Sequence, residues 1–160
     1  MVTEIYPGRV YSRRPEVSLP RRLGDELRSR GLVLAVAESC TGGLLGGELT
    51  SVPGASDWFA GGVISYSNRV KSDVLNVPPR TIESHGAVSR HVVEAMAEGV
   101  RGLLGADAAM AVSGTAGPSG GTEEKPVGTV WMAVLHPGGG SRRRELFGGD
   151  RGHVRRSAAS

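Results

Sequence analysis

Leu32-Val33-Leu34-Ala35-Val36-Ala37 is apolar at every position and runs straight into Glu38-Ser39-Cys40-Thr41-Gly42-Gly43. An unbroken apolar run of this length predicts a strand covered on both faces, because a strand with one wet face alternates polar and apolar residues. The glycines that follow predict a sharp turn into a short helix over Thr41 to Leu49, ended by Ser51-Val52-Pro53-Gly54. Ser39 stands on that strand-to-helix turn, the place where many hydrolases hold a nucleophile.

Working outward, Leu19 to Arg30 has Leu23 and Leu27 at helical spacing and Gly31 as its stop. Met1 to Ser18 is basic and carries no periodic apolar pattern, so it reads as a loose extension. Trp58 to Tyr66 predicts a second strand and Asn68 to Leu75 a short helix, with Pro78-Pro79 breaking the chain before a turn around Glu83 to Gly86. Ser89 suits an N-cap for a helix to Leu104, since Val92, Val93, Met96, Val100, Leu103 and Leu104 share one face and Gly105 closes it. Ala108 to Val112 is a third strand, and Ser113 to Gly121 is too rich in turn formers to be anything but a loop. Gly128 to Leu135 and Arg142 to Phe147 complete five strands, the last two joined as an antiparallel hairpin through His136 to Gly140. Helices alternate with strands early and a hairpin comes late. The expectation is a single α/β domain over residues 19–160, three layers α/β/α around a mixed, mostly parallel five-stranded sheet.

Composition narrows the functional classes. At 160 residues, with 39% hydrophobic and 22% charged residues, the chain has the make-up of one globular domain. A single cysteine permits no internal disulfide and no Cys-rich zinc site, and no run approaches the ~20 apolar residues that span a bilayer, so a cytoplasmic protein without a membrane partner is expected. The formal net charge is +3, but Arg13-Arg14, Arg21-Arg22, Arg142-Arg143-Arg144 and Arg155-Arg156 are scattered and no aromatic residues interleave them. A nucleic-acid surface is therefore not expected.

Of the 19 basic residues 17 are arginine; the two lysines are Lys71 and Lys125. Arginine does not lose its proton near neutral pH, whereas a lysine can be tuned into a base by burial or by a neighbouring cation. Lys71 in Tyr66-Ser67-Asn68-Arg69-Val70-Lys71 is thus a candidate activator for Ser39. Other chemistries find less support. Gly42-Gly43-Leu44-Leu45-Gly46-Gly47 lacks the dinucleotide order G-x-G-x-x-G, and no G-x-x-x-x-G-K-[ST] occurs. Tyr66 and Lys71 are five residues apart, not the four of short-chain dehydrogenases, and His85, His91, His136 and His153 form no H-E-x-x-H or i, i+4 pair. A metal-free, cofactor-free mechanism is expected. A Ser-His-Asp triad stays open at this stage, since its members meet only in the fold.

Six ordered motifs then carry a family resemblance: Ala37 to Gly43; Gly62 to Lys71; His85-Gly86-Ala87-Val88-Ser89; Ser113-Gly114-Thr115-Ala116-Gly117-Pro118; Glu123 to Val130; and Phe147-Gly148-Gly149-Asp150-Arg151. Together they resemble the CinA C-terminal domain family. The resemblance implies an amidohydrolase that deamidates nicotinamide mononucleotide to nicotinate mononucleotide and ammonia in pyridine nucleotide salvage, in an α/β/α domain that assembles as a homodimer. It places the nucleophile on Ser39 and the base on Lys71, with Tyr66, Thr115 and Arg151 at positions associated with the site; between serine and lysine, Tyr66 is the expected proton relay or orienting group. Candidate substrate contacts are Thr41, Gly42, Gly43, Asn68, Thr115 and Arg151, where Arg151 suits the substrate phosphate or the lysine environment equally; the amides of Cys40 to Gly43, at the positive end of the following helix, are the expected oxyanion donors. It also implies a last helix longer than Asp150 to Ser160 allows, which favours the competing expectation of a non-catalytic nucleotide- or partner-binding domain.

Overall fold

The computed structural model describes residues 18–160, so the expected extension lies, apart from Ser18, outside the described residues. The chain order is α1 (Leu19–Ser29), β1 (Leu34–Glu38), α2 (Leu44–Thr50), a 3₁₀ turn (Ala55–Asp57), β2 (Phe59–Ile64), α3 (Asn68–Leu75), α4 (Pro79–His85), α5 (Arg90–Leu104), β3 (Ala108–Gly114), β4 (Thr129–His136), β5 (Gly139–Leu146) and α6 (Arg151–Ala159). The expected helix over Asn68 to Leu75 and the one capped by Ser89 form with those bounds. α4 is an addition: Pro78-Pro79 opens a helix instead of a loop, because proline at the first helical position lacks only an N–H that would have no partner there.

The sheet order is β2-β1-β3-β4-β5, with β1 central to the parallel part. Apolar residues of β1 alternate between two cores. Leu34 and Val36 face a core with Leu27 of α1, Leu45 and Leu49 of α2, and Val154, Ala158 and Ala159 of α6. Ala35 and Ala37 face the other, with Leu75 of α3 and Val92, Val93, Met96 and Val100 of α5. All five β1 residues are buried, as the unbroken apolar run predicts.

The expectation of a mostly parallel sheet is corrected. β1 pairs in parallel with β2 and β3 over five residues each, whereas β3 with β4 and β4 with β5 pair antiparallel over six and eight, so antiparallel pairing predominates. The reason is the connections. A parallel return needs a crossover of a dozen or more residues, usually a helix. Residues 115–128 contain no helix and bring β4 back directly beside β3, while Pro137-Gly138 alone turns β4 into β5. Among the described residues no helix is long and apolar enough to cross a membrane.

Candidate active site

The chain leaves β1 for β2 on one side and later returns to β3 on the other. This makes the carboxyl end of β1 a topological switch point, where open α/β sheets form their crevices. Ser39 is the next residue. Its N–H donates to Val112 O of β3 at 3.0 Å, and Gly42 N–H donates back to Ser39 O at 3.2 Å to close the turn. Gly42 and Gly43, at φ of 60° and 99°, supply the left-handed backbone that the turn requires.

Two side chains brace this turn. The buried Glu38 carboxylate accepts the N–H groups of Gly43 at 2.9 Å, Leu45 at 3.2 Å and Gly46 at 2.8 Å, satisfying donors that the start of α2 leaves without helical partners. From α6, the Arg155 guanidinium donates through Nε to Cys40 O at 3.0 Å and through Nη2 to Thr41 O at 2.9 Å.

Lys71 comes from α3, whose N-cap Ser67 accepts Val70 N–H. It is only 1% exposed, although lysine is seldom fully buried. Its Nζ lies 2.7 Å from Ser65 O, 3.1 Å from Tyr66 O and 3.2 Å from Ser39 Oγ. Burial pushes the amine down to about 8, against a smaller opposing effect of Cys40. Of the two causes that the sequence allows, burial and a neighbouring cation, burial is the one that acts. The same burial pushes the Cys40 thiol up to about 11, which keeps it a neutral packing group.

Ser39, Cys40, Tyr66, Lys71, Ala87, Val88, Ser113, Gly114, Ala116 and Arg151 enclose a cavity of about 240 Å³. The ends of three parallel strands, the loop before α5 and the start of α6 all contribute. Tyr66, 60% exposed, stands at the mouth; its hydroxyl meets Arg151 Nη2 at 3.1 Å, and its carbonyl, not its phenol, contacts Lys71. Arg151 is tied in turn to Gly117 O at 2.7 Å. A larger apolar groove of about 840 Å³ lies between α1, β4 and the end of α6, but it contains neither Ser39 nor Lys71.

Of the expected site residues, Ser39, Lys71, Tyr66 and Arg151 meet at this cavity, and Thr41, Gly42, Gly43, Asn68 and Thr115 do not line it. Thr41 is fully buried and its hydroxyl has no partner among the described residues. The amides of Gly42 and Gly43 are engaged by Ser39 O and Glu38. Sequence reasoning missed Ser113, which lines the cavity and whose hydroxyl donates to Ala87 O at 2.9 Å, although both residues lie inside motifs already singled out. It also missed Glu38 and Arg155. Glu38 sits in the first motif and had a detectable signal, an acid just ahead of a helix start; nothing in sequence ties Arg155 to Cys40.

A serine hydroxyl is thus held against a desolvated amine at a switch point of an α/β/α sheet, a Lys-Ser hydrogen-bond network suited to a catalytic dyad. The chain belongs to the CinA C-terminal domain family, which it matches over residues 16–160. It is 60% identical over 126 residues to a CinA-like protein of Parasynechococcus marenigrum strain WH8102, covering 79% of this chain and 30% of that relative. The chain thus spans about a third of the curated CinA-like relatives it matches. It is 46% identical over 145 residues to the nicotinamide-nucleotide amidohydrolase PncC of Escherichia coli K12, covering 90% of this chain and 88% of that protein. Among solved structures, the competence damage-inducible protein A of Klebsiella pneumoniae superposes with a TM-score of 0.84 at 39% identity, covering 88% of this chain and 87% of that one. The chain accordingly shares the family and the fold of the CinA superfamily.

Proposed function

We propose that this chain hydrolyses the carboxamide of nicotinamide mononucleotide to nicotinate mononucleotide and ammonia, with Ser39 as nucleophile and Lys71 as the base that activates it. The observation that carries this reading is the set of three oxygen atoms around Lys71 Nζ. A neutral amine has two N–H groups and one lone pair. Ser65 O and Tyr66 O accept the two N–H groups, which turns the lone pair to Ser39 Oγ.

As Ser39 Oγ bonds to the amide carbon, its proton passes to Lys71 Nζ and the carbonyl oxygen becomes an oxyanion. Of the donors expected at Cys40 to Gly43, those of Gly42 and Gly43 are engaged by Ser39 O and Glu38, and the amides of Cys40 and Thr41, within reach of the Cys40 thiol, are the two with no oxygen acceptor and so are assigned to that oxyanion. When the C–N bond breaks, Lys71 returns the proton to nitrogen and ammonia leaves. Water then attacks the acyl-serine with Lys71 again as base, the Oγ–C bond breaks and the serine hydroxyl is restored.

A cavity of about 240 Å³ is below the ~300–1,000 Å³ of drug-sized ligand sites. It suits the pyridine carboxamide and leaves the ribose phosphate at the mouth, beside Arg151. The helix start at α2, elsewhere a natural phosphate site, already holds the Glu38 carboxylate.

The test is ammonia release from nicotinamide mononucleotide by the full chain. Turnover is expected, with a loss of about 10³-fold or more in Ser39→Ala and in Lys71→Met. Release that persists in Ser39→Ala overturns the nucleophile. Binding of the nucleotide with no ammonia above that control points to a non-catalytic nucleotide-binding domain.

A further inference from the structure

We infer that Arg155 is a positioning residue for catalysis: its guanidinium fork holds in place the turn that carries the nucleophile. The inference rests on Ser39 as nucleophile but not on the identity of the amide substrate.

A single guanidinium takes two consecutive carbonyls, Cys40 O at 3.0 Å and Thr41 O at 2.9 Å. A trans peptide carries its N–H opposite its C=O. Drawing the Cys40 carbonyl to α6 therefore turns the Thr41 N–H the other way, and drawing the Thr41 carbonyl does the same for Gly42 N–H, which closes the turn on Ser39 O. Charge-assisted hydrogen bonds are about twice as strong as neutral ones, and they polarise the peptides they hold, which makes those N–H groups better donors.

Anchoring of α6 does not depend on this fork, because Val154, Ala158 and Ala159 bury the helix in the core. Among the described residues, no carboxylate pairs with the Arg155 guanidinium, so its hydrogen bonds all serve the nucleophile turn. Gly42 gives it room: a Cβ there would stand 3.2 Å from Arg155 Nη2.

The experiment measures two rates for the full-length chain, Arg155→Ala and Arg155→Lys. One is kcat for nicotinamide mononucleotide. The other is labelling of Ser39 by a fluorophosphonate, in which the Oγ–P bond forms, fluoride leaves and the serine proton passes to Lys71. Both rates are expected to fall about 10- to 100-fold, with KM within about twofold of the unaltered chain. The lysine variant should stay impaired because it lacks the planar fork. Added guanidinium ion should restore part of the rate in Arg155→Ala, and the pH midpoint should not move because Lys71 is untouched. Rates within twofold of the unaltered chain overturn the inference. So does a loss that follows the folded fraction by circular dichroism and does not respond to guanidinium. If the unaltered chain is labelled at Ser39 but releases no ammonia, the substrate reading alone fails, and labelling still decides the role of Arg155. A chain inert in both assays removes the nucleophile and this inference with it.

Discussion

Lys71 joins function to stability through one proton. In the folded chain burial brings its pKa from 10.5 to about 8, so at pH 7 roughly a tenth of the molecules hold the neutral amine that the mechanism needs. The rate is therefore expected to rise with pH through a midpoint near 8 and then level off, checked by kcat/KM across pH 6 to 10. Stability follows with a definite sign. Between about 8 and 10.5 the unfolded chain keeps this proton and the folded chain has lost it, so stability rises with pH across that window. Below it, the buried ammonium is a constant cost of about 3 kcal/mol at most. Lys71→Met removes the titration and leaves Ser65 O and Tyr66 O without a donor at every pH. The stability of the native chain relative to this variant should thus climb between pH 8 and 10.5 in urea denaturation; a flat difference refutes the shifted amine.

At the scale of elements, the proposed base depends on how α3 is seated against α5. Gly99 of α5 lies so close that a Cβ built there would stand 2.0 Å from Leu75 O, at the last residue of α3 and one turn after Lys71. In an exposed helix, glycine to alanine gains about 1 kcal/mol. Here the contact is with backbone, which cannot swing aside, so Gly99→Ala should cost about 1 to 3 kcal/mol and lower the rate by displacing α3. Gly102 is the control on the same helix, since a Cβ there meets nothing within 4 Å. Gly102→Ala should raise the melting temperature and leave the rate alone. Equal effects of the two substitutions would mean that α3 is not seated by Gly99.

At the scale of the molecule, one sheet serves two cores, and a tryptophan reports on each. Trp58 is fully buried on the side of α1, α2 and α6, while Trp131 packs against the core beneath α5. Since both cores include residues of β1, β3 and β4, they should unfold together. With Trp131→Phe, the fluorescence of Trp58 should report the same melting midpoint as far-ultraviolet circular dichroism of the whole chain; separate midpoints would show that the layers unfold independently. Much of this architecture was readable beforehand, because strand burial, helix caps and hairpin turns are local patterns. Leu32 to Ala37 announced a strand covered on both faces, Ser89 its helix, and the scarcity of lysine marked Lys71 beside Ser39 as chemistry. Which strand the hairpin would flank was not local, and its landing beside β3 made antiparallel pairing predominate. The fork of Arg155 and the bond from Ser113 to Ala87 were equally hidden, whereas the hold of Glu38 on α2 had a local sign, an acid just ahead of a helix start. Residue order determined the elements and singled out the two groups proposed to react, since both depend on side-chain type and short-range spacing. Only the tertiary structure decided how serine, amine and bracing charges meet, because contacts between residues 32 to 115 positions apart depend on how the layers pack.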